Sequence, residues 1–389
     1  MGVHSSHHTS HYARGKAAWL GVLAVLVVAS CGSDDSGSSS GSNDVSGSLS
    51  GICPETIVIQ TDWFPESEHG ALYQLVGDDY VVDVDKKTVK GSLIDSDGTD
   101  TGVDIEIRTG GPAIGYSPVT STMATDSSIT MGYVLTDDAA FNYDNIQTLA
   151  VVAPLEINPQ IIMWDPETYP DVKTIADLGK AGITINAFGA ASFLQVFIAE
   201  GVISEEQVDE SYDGSPARFI AEGGKIAQQG FASAEPYQYK NEFTEWGKDV
   251  AYQLIHDAGF EIYAAPLAIR AEEKDELSAC LKKFVPLVQR AAIEFIENGS
   301  RAVAVILDAV EKFDDFWVYG EDVANYSIAT MKELGLVGNG PDSTLGNFDF
   351  DRANGALDKM RAAGLDIPSD LKAEDLYTNE FIDSSIGMK

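Results

Sequence analysis

The sequence predicts an α/β protein whose folded part is divided into two lobes. Ile57-Val58-Ile59 is a β-branched run typical of a buried strand, whereas Phe193, Val196 and Phe197 recur at the spacing of a helix. Strand and helix signals of these two kinds alternate through the middle of the chain, which indicates open sheets covered by helices. About 340 residues follow the N-terminal leader and linker, so we expect two lobes with separate cores.

The first 31 residues carry the pattern of an export signal. Two basic residues precede an apolar run, 17–28, that is too short to span a membrane and ends in Val28-Ala29-Ser30-Cys31. This ending resembles a bacterial lipobox, so residues 1–31 are predicted to be a lipoprotein signal peptide with Cys31 lipidated. An ordinary signal peptide with an incidental cysteine is the alternative. Residues 32–52, rich in Gly, Ser, Asp and Asn, are predicted to be a flexible linker. The export signal and the lipidated Cys31 together predict that the protein is exported and anchored on the outer face of the cytoplasmic membrane.

The charge balance of the chain argues against several partners. The chain has 25 basic and 61 acidic residues, a formal net charge of −36, and such a surface repels nucleic acid and anionic lipid. Only His69 and His256 follow the leader, so neither a histidine-based metal site nor a cofactor is expected. Cys53 and Cys280 either form a disulfide, as an exported chain permits, or remain two buried thiols.

The stretch Thr56–Gly77 combines a strand, an acidic-aromatic loop and a helix. The strand ends at Asp62-Trp63, Pro65 follows, and a short helix opens at Gly70. In open α/β sheets such a loop presents side chains to a small ligand beyond the carboxyl end of the strand. Trp63 offers a stacking face and Asp62 offers hydrogen-bond acceptors, which suits a flat ligand. The alternative is a plain strand end, with Trp63 half buried and Asp62 capping the turn.

Further strand ends of the first lobe follow the same pattern. Val103–Ile107 is a predicted strand that runs into Gly110-Gly111-Pro112, where glycines let the backbone bend and approach a ligand closely. Ile129–Val134 is another, and it runs into Thr136-Asp137-Asp138 at the start of a short helix. Tyr80–Asp104 is interpreted as a β-hairpin that decorates the fold.

The second lobe repeats the arrangement after a predicted crossing at residues 156–159. A strand at Ile183–Asn186 leads to Phe188-Gly189-Ala190-Ala191-Ser192, where a helix starts and its free N–H groups are open to an acceptor on the ligand. Packing of helix on strand is the alternative role of these small residues. A further strand, Ile226–Ser233, ends at Glu235-Pro236-Tyr237, again an acid beside an aromatic ring.

The chain then returns to the first lobe and becomes helical. Glu261–Ile269 is the predicted returning strand. Helices are predicted over Leu277–Asn298, with a kink at Pro286, and over Ala302–Phe313. The aromatic residues of the segment Trp317–Tyr326 are assigned to core packing.

Five segments together carry a resemblance to a known family. They are DWFPESEHGALY at 62–73, GGP at 110–112, FGAAS at 188–192, SAEPY at 233–237 and DLYTNEF at 375–381. Over most of residues 55–381 the chain resembles the thiamine-pyrimidine-precursor family of type 2 periplasmic substrate-binding proteins, which has riboflavin-, nitrate- and sulfonate-binding relatives. The resemblance implies two α/β lobes joined by two crossover strands and a hinge, with ligand in the cleft and the closed form presented to an ABC permease.

The resemblance also implies a division of the chain, and it guides the choice of candidate ligand contacts. The first lobe would comprise 53–157 and 262–389, and the second 158–261. The candidate ligand-binding residues are Asp62, Trp63, His69, Tyr116, Thr136, Asp137, Asn158, Phe188, Gly189, Ala190, Ala191, Ser192, Glu235 and Tyr237. The chain departs from the family by an insertion at 78–102 and by Glu66, where the family usually has Asn.

These features predict a lipid-anchored, monomeric receptor rather than an enzyme. It would deliver a planar heterocyclic nutrient, a thiamine pyrimidine precursor or a flavin-like compound, to the permease and ATPase subunits of an ABC importer. Buried Asp62 and Glu235 favour an amine-bearing solute over nitrate or sulfonate, which bind Arg, Lys or helix N-termini, and only Arg108 and Arg218 lie near the candidate loops. The alternatives are an oxyanion receptor, a pyrimidine-synthase-like enzyme, and a surface protein that has lost uptake.

Overall fold

The computed structural model describes residues 48–189, 191–315 and 317–389. The predicted signal peptide with Cys31, residues 32–47 of the predicted linker, and Ala190 lie outside these described residues. Among the helices of the described ranges, none is long and apolar enough to cross a membrane.

The described residues form twelve strands and twelve α-helices, and the part of the chain after the last strand is helical. The strands are β1 Thr56–Gln60, β2 Val81–Asp83, β3 Thr88–Ile94, β4 Asp100–Arg108, β5 Met131–Tyr133, β6 Thr148–Val152, β7 Gln160–Trp164, β8 Ile185–Asn186, β9 Val208–Asp209, β10 Ala227–Phe231, β11 Ala251–Leu254 and β12 Leu267–Arg270. The helices are α1 Gly70–Tyr73, α2 Val119–Thr125, α3 Thr136–Phe141, α4 Ile175–Ala181, α5 Ser192–Ala199, α6 Ala217–Ala221, α7 Glu235–Asn241, α8 Lys274–Asn298, α9 Ser300–Phe313, α10 Glu321–Glu333, α11 Phe350–Ala362 and α12 Ala373–Leu376.

The first sheet has seven strands in the order β2-β3-β4-β1-β5-β12-β6. Its centre is parallel, because β1 pairs with β4 on one side and with β5 on the other. The carboxyl ends of these three strands therefore lie at one edge of the sheet, as the sequence predicts for a ligand site. The predicted hairpin within Tyr80–Asp104 is confirmed, since β2, β3 and β4 pair antiparallel and extend the sheet at one end.

The second sheet has five strands in the order β11-β7-β10-β8-β9, with β8 parallel to β10. The chain passes between the sheets twice, at 153–159 and at 255–266. The returning strand begins only at Leu267, not at Glu261 as predicted, because Pro266 has no N–H for a ladder. The lobe boundaries predicted after residues 157 and 261 lie within the two passages and stay predictions.

The hydrophobic interior does not divide into one core per lobe, so that prediction is wrong. Successive residues of a strand point to opposite faces of its sheet. One cluster of buried residues therefore contains Ile57 from the first sheet with Ile161 from the second. The other cluster contains Val58 and Ile162, their immediate neighbours in sequence. Each cluster follows one face of both sheets and is continuous across the two lobes.

Helix α11, in the C-terminal part of the chain, packs against the second lobe. It begins after Asp349, whose carboxylate accepts the N–H groups of Asp351 and Arg352 as an N-cap. Its apolar residues share a buried cluster with α5, and Lys359 forms an ion pair with Glu200 at 2.9 Å between Nζ and Oε1. The segment after the second crossing thus contacts both lobes.

The N-terminal end of the folded body is tied to helix α8. A disulfide joins Cys53 to Cys280, which is fully buried in α8. Leu49 is also fully buried, and its N–H donates to the Thr101 carbonyl at 2.8 Å. The end of the predicted linker is therefore attached to the fold at Leu49 and through the nearby disulfide, whereas residues 50–52 are exposed.

We expect loss of the Cys53–Cys280 bond to lower the free energy of unfolding. The bond spans a sequence separation of 227 residues, and cross-links of long loops typically contribute about 2–5 kcal/mol by restricting the unfolded chain. Urea unfolding of the described domain should show a lower midpoint when a thiol reductant is present. The double variant Cys53→Ala, Cys280→Ala is the control and should not respond to reductant. An unchanged midpoint for the wild-type protein on reduction would contradict this expectation.

Candidate ligand-binding site

The loop after β1 is held in place by the glycine loop after β4. Gly110 N–H donates to the Trp63 carbonyl and Gly111 N–H to the Asp62 carbonyl, both at 2.9 Å. Gly111 has φ +55°, and a Cβ on it would lie 2.8 Å from Cε3 of the Trp63 ring. The glycines allow a close approach, as predicted, but the group they approach is the indole of Trp63.

Asp62 is oriented by His69 from the start of the following helix. The His69 Nε2 lies 2.8 Å from the Asp62 Oδ1, and His69 is 2% exposed with its ring stacked on Tyr133 at 5.2 Å between centroids. A buried ring bonded to a carboxylate keeps that carboxylate in one orientation. His69 therefore positions Asp62 and is absent from the linings of the two cavities described below.

A cavity of about 90 Å³, which we call the inner chamber, lies between the strand ends of the two sheets. Its lining residues come from both lobes and from the segment after α9; they are Asp62, Trp63, Glu66, Glu68, Phe188, Tyr212, Gly214, Phe231, Ala234, Glu235 and Trp317. Aromatic rings and carboxyl groups dominate this lining, and it contains neither lysine nor arginine.

Aromatic rings from both lobes surround Trp63. Its ring centroid lies 6.2 Å from that of Phe188 in the second lobe and 6.1 Å from that of Trp317, both edge-on. Phe188 in turn lies 4.7 Å from Tyr212. The arrangement gives the inner chamber aromatic walls on several sides, which suits a flat or cationic group.

Three glutamates of the inner chamber have raised pKa values. Burial is the first cause for each of them. The pKa of Glu66 is well above its ordinary value, raised further by the charges of Glu68, Asp62 and Glu235. The pKa of Glu68 is raised to about 7, although a hydrogen bond from Ser233 opposes the shift. Burial raises the pKa of Glu235 to about 7 against the hydrogen bond from the Phe231 N–H.

A second, wider cavity of about 830 Å³, the outer chamber, lies beside the first. It shares Asp62, Trp63 and Phe188 with the inner chamber. Its remaining lining residues include Gly111, Tyr116, Asp137, Asp138 and Gly189. Burial and the charges of Asp137 and Asp62 raise the pKa of Asp138 to about 8.

The lobes are also linked by hydrogen bonds beside these chambers. The Ser192 hydroxyl, at the start of α5, donates to Asp137 Oδ2 at 2.5 Å across the cleft. The Ser233 hydroxyl donates to Glu68 from the other side of the cleft. Hydroxyl-to-carboxylate bonds of this kind hold the strand ends of the two sheets together.

The two arginines near the candidate loops do not reach either chamber. Arg108 donates to Glu106 Oε1 at 2.7 Å and to Asp126 Oδ2 at 2.9 Å. Arg218 forms an ion pair with Asp209. Both guanidinium groups are already paired with carboxylates, and neither lines a chamber.

Several of the candidate residues are brought together and others are not. Asp62, Trp63 and Phe188 line both chambers, Glu235 lines the inner one, and Tyr116, Asp137 and Gly189 line the outer one. The Ser192 hydroxyl is hydrogen-bonded to Asp137, which lines the outer chamber. Ala191 lines neither chamber, and Ala190 is outside the described residues.

Three other candidates have structural roles instead of cavity positions. The Thr136 hydroxyl donates to the Tyr263 carbonyl at 3.0 Å and accepts from the Tyr377 hydroxyl at 2.7 Å. Asn158 is fully buried and its side chain accepts the Gln160 N–H at 2.9 Å. Tyr237 packs on Tyr326, with centroids 5.4 Å apart, and lines neither chamber. Their polar atoms and rings are used within the fold, so the prediction that they contact ligand has no support here.

The sequence reasoning missed much of the inner chamber. Glu66 and Glu68 lie in the loop that follows Asp62 and Trp63, but neither was a candidate ligand contact. Trp317 lies in the aromatic segment that was assigned to core packing. Trp317 does pack, stacked on Phe64 at 5.5 Å, but it also lines the chamber. Tyr212 follows a strand of only two residues, which leaves no signal in the sequence.

Solved structures resemble the fold over most of its length. The ligand-binding component of an ABC-type import system from Staphylococcus aureus, with zinc bound, has a TM-score of 0.55 at 12% identity, covering 86% of this chain and 100% of that one. The alkanesulfonate-binding protein SsuA from Xanthomonas axonopodis pv. citri, bound to MOPS, has a TM-score of 0.52 at 12% identity, covering 84% of this chain and 98% of that one. This chain has the periplasmic-binding-protein fold. Neither a family model nor a characterised protein sequence matches it significantly.

The raised pKa of Glu235 predicts a pH-dependent stability. A folded-state pKa of about 7 against an ordinary 4.5 means that the folded protein binds this proton more tightly, so stability falls as pH rises from about 4.5 to about 7. The free energy of unfolding of Glu235→Gln should therefore fall less over this pH range than that of the wild-type protein, by up to about 3 kcal/mol at pH 8. Urea unfolding at several pH values measures it, with the exposed Glu297→Gln as control. Identical pH profiles for Glu235→Gln and the wild-type protein would refute the prediction.

Proposed function

We propose that this protein is an extracytoplasmic solute receptor that delivers a small, flat, amine-bearing heterocycle to an ABC importer. A thiamine pyrimidine precursor or a flavin-like compound is the expected kind of ligand. The observation that carries the proposal is the inner chamber, a small cavity lined by aromatic rings and carboxyl groups from both lobes. Enclosed sites with a few convergent polar groups are typical of small-molecule binding.

The chemistry of the lining explains the preference for an amine-bearing ring. Trp63 and Phe188 come from opposite lobes, so a flat solute between the lobes would contact an aromatic ring of each. Glu235 and Asp62 would accept hydrogen bonds from its N–H groups, and a carboxylate so paired is far less costly to bury than a bare one. Binding and closure are then favoured by the same contacts.

A sulfonate or other oxyanion is the second candidate ligand class. One of the structural neighbours is an alkanesulfonate-binding protein. Sulfonates bind to Arg, Lys or backbone N–H groups, and a lining with four carboxyl groups and neither lysine nor arginine offers them no positively charged side chain. The side chains of this chamber therefore favour the amine.

A lipid anchor at Cys31 would complete the role of the receptor. A receptor tethered to the membrane surface stays close to its permease, which raises its effective concentration there without any new contact. The partners are the permease and ATPase subunits of the importer, and the receptor itself would act as a monomer that needs no cofactor and performs no catalysis.

Ligand screening of the domain from residue 48 onward tests the proposal directly. We expect thermal stabilisation by aminopyrimidines or flavins and little by taurine or nitrate, since a bound ligand adds RT ln(1 + [L]/Kd), about 2.7 kcal/mol at 100 times Kd. Trp63→Ala should weaken the best ligand at least about tenfold, because loss of an aromatic contact costs more than about 1.4 kcal/mol. Tyr237→Ala is the matched control, as this ring lines neither chamber. Calorimetry that ranks taurine or nitrate above every pyrimidine and flavin would overturn the proposal.

A further inference from the structure

Glu66 differs from the other carboxyl groups of the inner chamber in having no partner. It is 9% exposed, lines the chamber, and accepts no hydrogen bond through its carboxylate from any residue in the described part of the chain. Its nearest charged groups are other acids, Glu68, Asp62 and Glu235. A buried carboxylate surrounded by acids is unfavourable unless a proton or a cation neutralises it.

The neighbouring acids each have a donor already. Asp62 is bonded to His69, and Glu68 accepts the Ser233 hydroxyl. Glu235 accepts the Phe231 N–H at 2.8 Å. Since no lysine or arginine lines the chamber, the protein itself supplies no charge opposite Glu66. Glu66 is therefore neutralised either by a proton, in the empty chamber, or by a positive charge that arrives with a ligand.

The size of the two chambers limits what that partner is. About 90 Å³ accommodates a head group of a few atoms, whereas the adjoining outer chamber has about 830 Å³. The described residues contain no group of three or more His, Cys, Asp or Glu side chains arranged to hold a metal ion. An organic cation with a small head and a larger body fits both observations.

We propose that Glu66 is the counter-ion of a positively charged organic ligand whose ammonium or amidinium head occupies the inner chamber and whose body extends past Trp63 and Phe188 into the outer chamber. The inference rests on the proposed function and narrows it, from a ligand that carries an amine to one that carries a positive charge. The rings of Trp63 and Trp317 add cation–π attraction to the same charge.

Proton release should accompany binding of such a cation. Burial raises the pKa values of Glu66, Glu68 and Glu235, and neighbouring acids raise those of Glu66 and Glu68 further, so these groups are partly protonated in the empty chamber near neutral pH. A cation favours their ionised forms and displaces protons. Affinity for a cation should therefore rise between about pH 6 and about pH 8.

Benzamidine and benzamide provide a test that varies charge at nearly constant shape. Benzamidine is a flat cation at neutral pH, and benzamide is its neutral counterpart. By isothermal titration calorimetry we expect the wild-type protein to bind benzamidine at least about tenfold more tightly than benzamide, since hydrogen bonds to charged partners are the stronger kind. Titration in two buffers with different ionisation enthalpies should reveal proton release for benzamidine alone.

Glu66→Gln removes the charge with little change of shape. It should weaken benzamidine by about 10- to 100-fold and leave benzamide within a factor of about three. Glu242→Gln is the control: this half-buried glutamate also has a buried, unpaired oxygen, Oε2, but lines neither chamber. Thermal unfolding verifies that both variants fold. If Glu66→Gln does not fold, the pH dependence and proton release of the wild-type protein decide the question.

The outcomes distinguish a failure of this inference from a failure of the proposed receptor function. Equal binding of both probes, equal losses for both in Glu66→Gln, or no binding of benzamidine overturns the role of Glu66 as counter-ion. If neutral pyrimidines or flavins still bind in that case, the proposed receptor function stands without it. If taurine or nitrate binds best, the proposed function and the inference fall together.

Discussion

The position of the Trp63 ring is the constraint on which both chambers depend. Gly110 and Gly111 hold the backbone of its loop through two hydrogen bonds, and a side chain on Gly111 would displace the ring. Because the ring contacts Phe188 of the second lobe, it forms a wall common to the inner and outer chambers. A local backbone arrangement in one lobe thus determines the shape of the space between the two lobes.

The acidic loop after Trp63 is unfavourable by itself and is held by the rest of the fold. The Ser67 N–H donates to the Tyr319 hydroxyl at 3.0 Å, and that hydroxyl is bonded to Ser327 in α10. These contacts fix the short turn that carries Glu66 and Glu68 toward the chamber. Clustered carboxyl groups with raised pKa values lower stability, and such clusters typically occur where a ligand is to be bound.

The sequence predicts the architecture better than the site. The strand–loop–helix pattern around Asp62 was readable because it follows the β-branched run Ile57-Val58-Ile59. The acid at the start of α7 was readable because it stands beside Pro236 and Tyr237. Which acid of the loop faces inward was not readable, because a turn has no periodicity that would single out Glu66. The expectation of two separate cores failed for a related reason: patterning along a strand shows that two faces exist, but not that each face continues across a crossing into the next sheet.

The charge of the whole chain and the charge of the chamber act in the same direction. A formal net charge of −36 produces a negative potential that extends about a Debye length from the surface, so it attracts cations and repels anions before any contact is made. An anionic solute would meet this barrier outside and would find neither lysine nor arginine in the lining of the inner chamber. A cationic solute meets a favourable potential at both stages, and its charge then neutralises a carboxylate that the fold leaves without a partner. Long-range steering and the proposed pairing with Glu66 would therefore favour the same sign of ligand, although they arise from different residues.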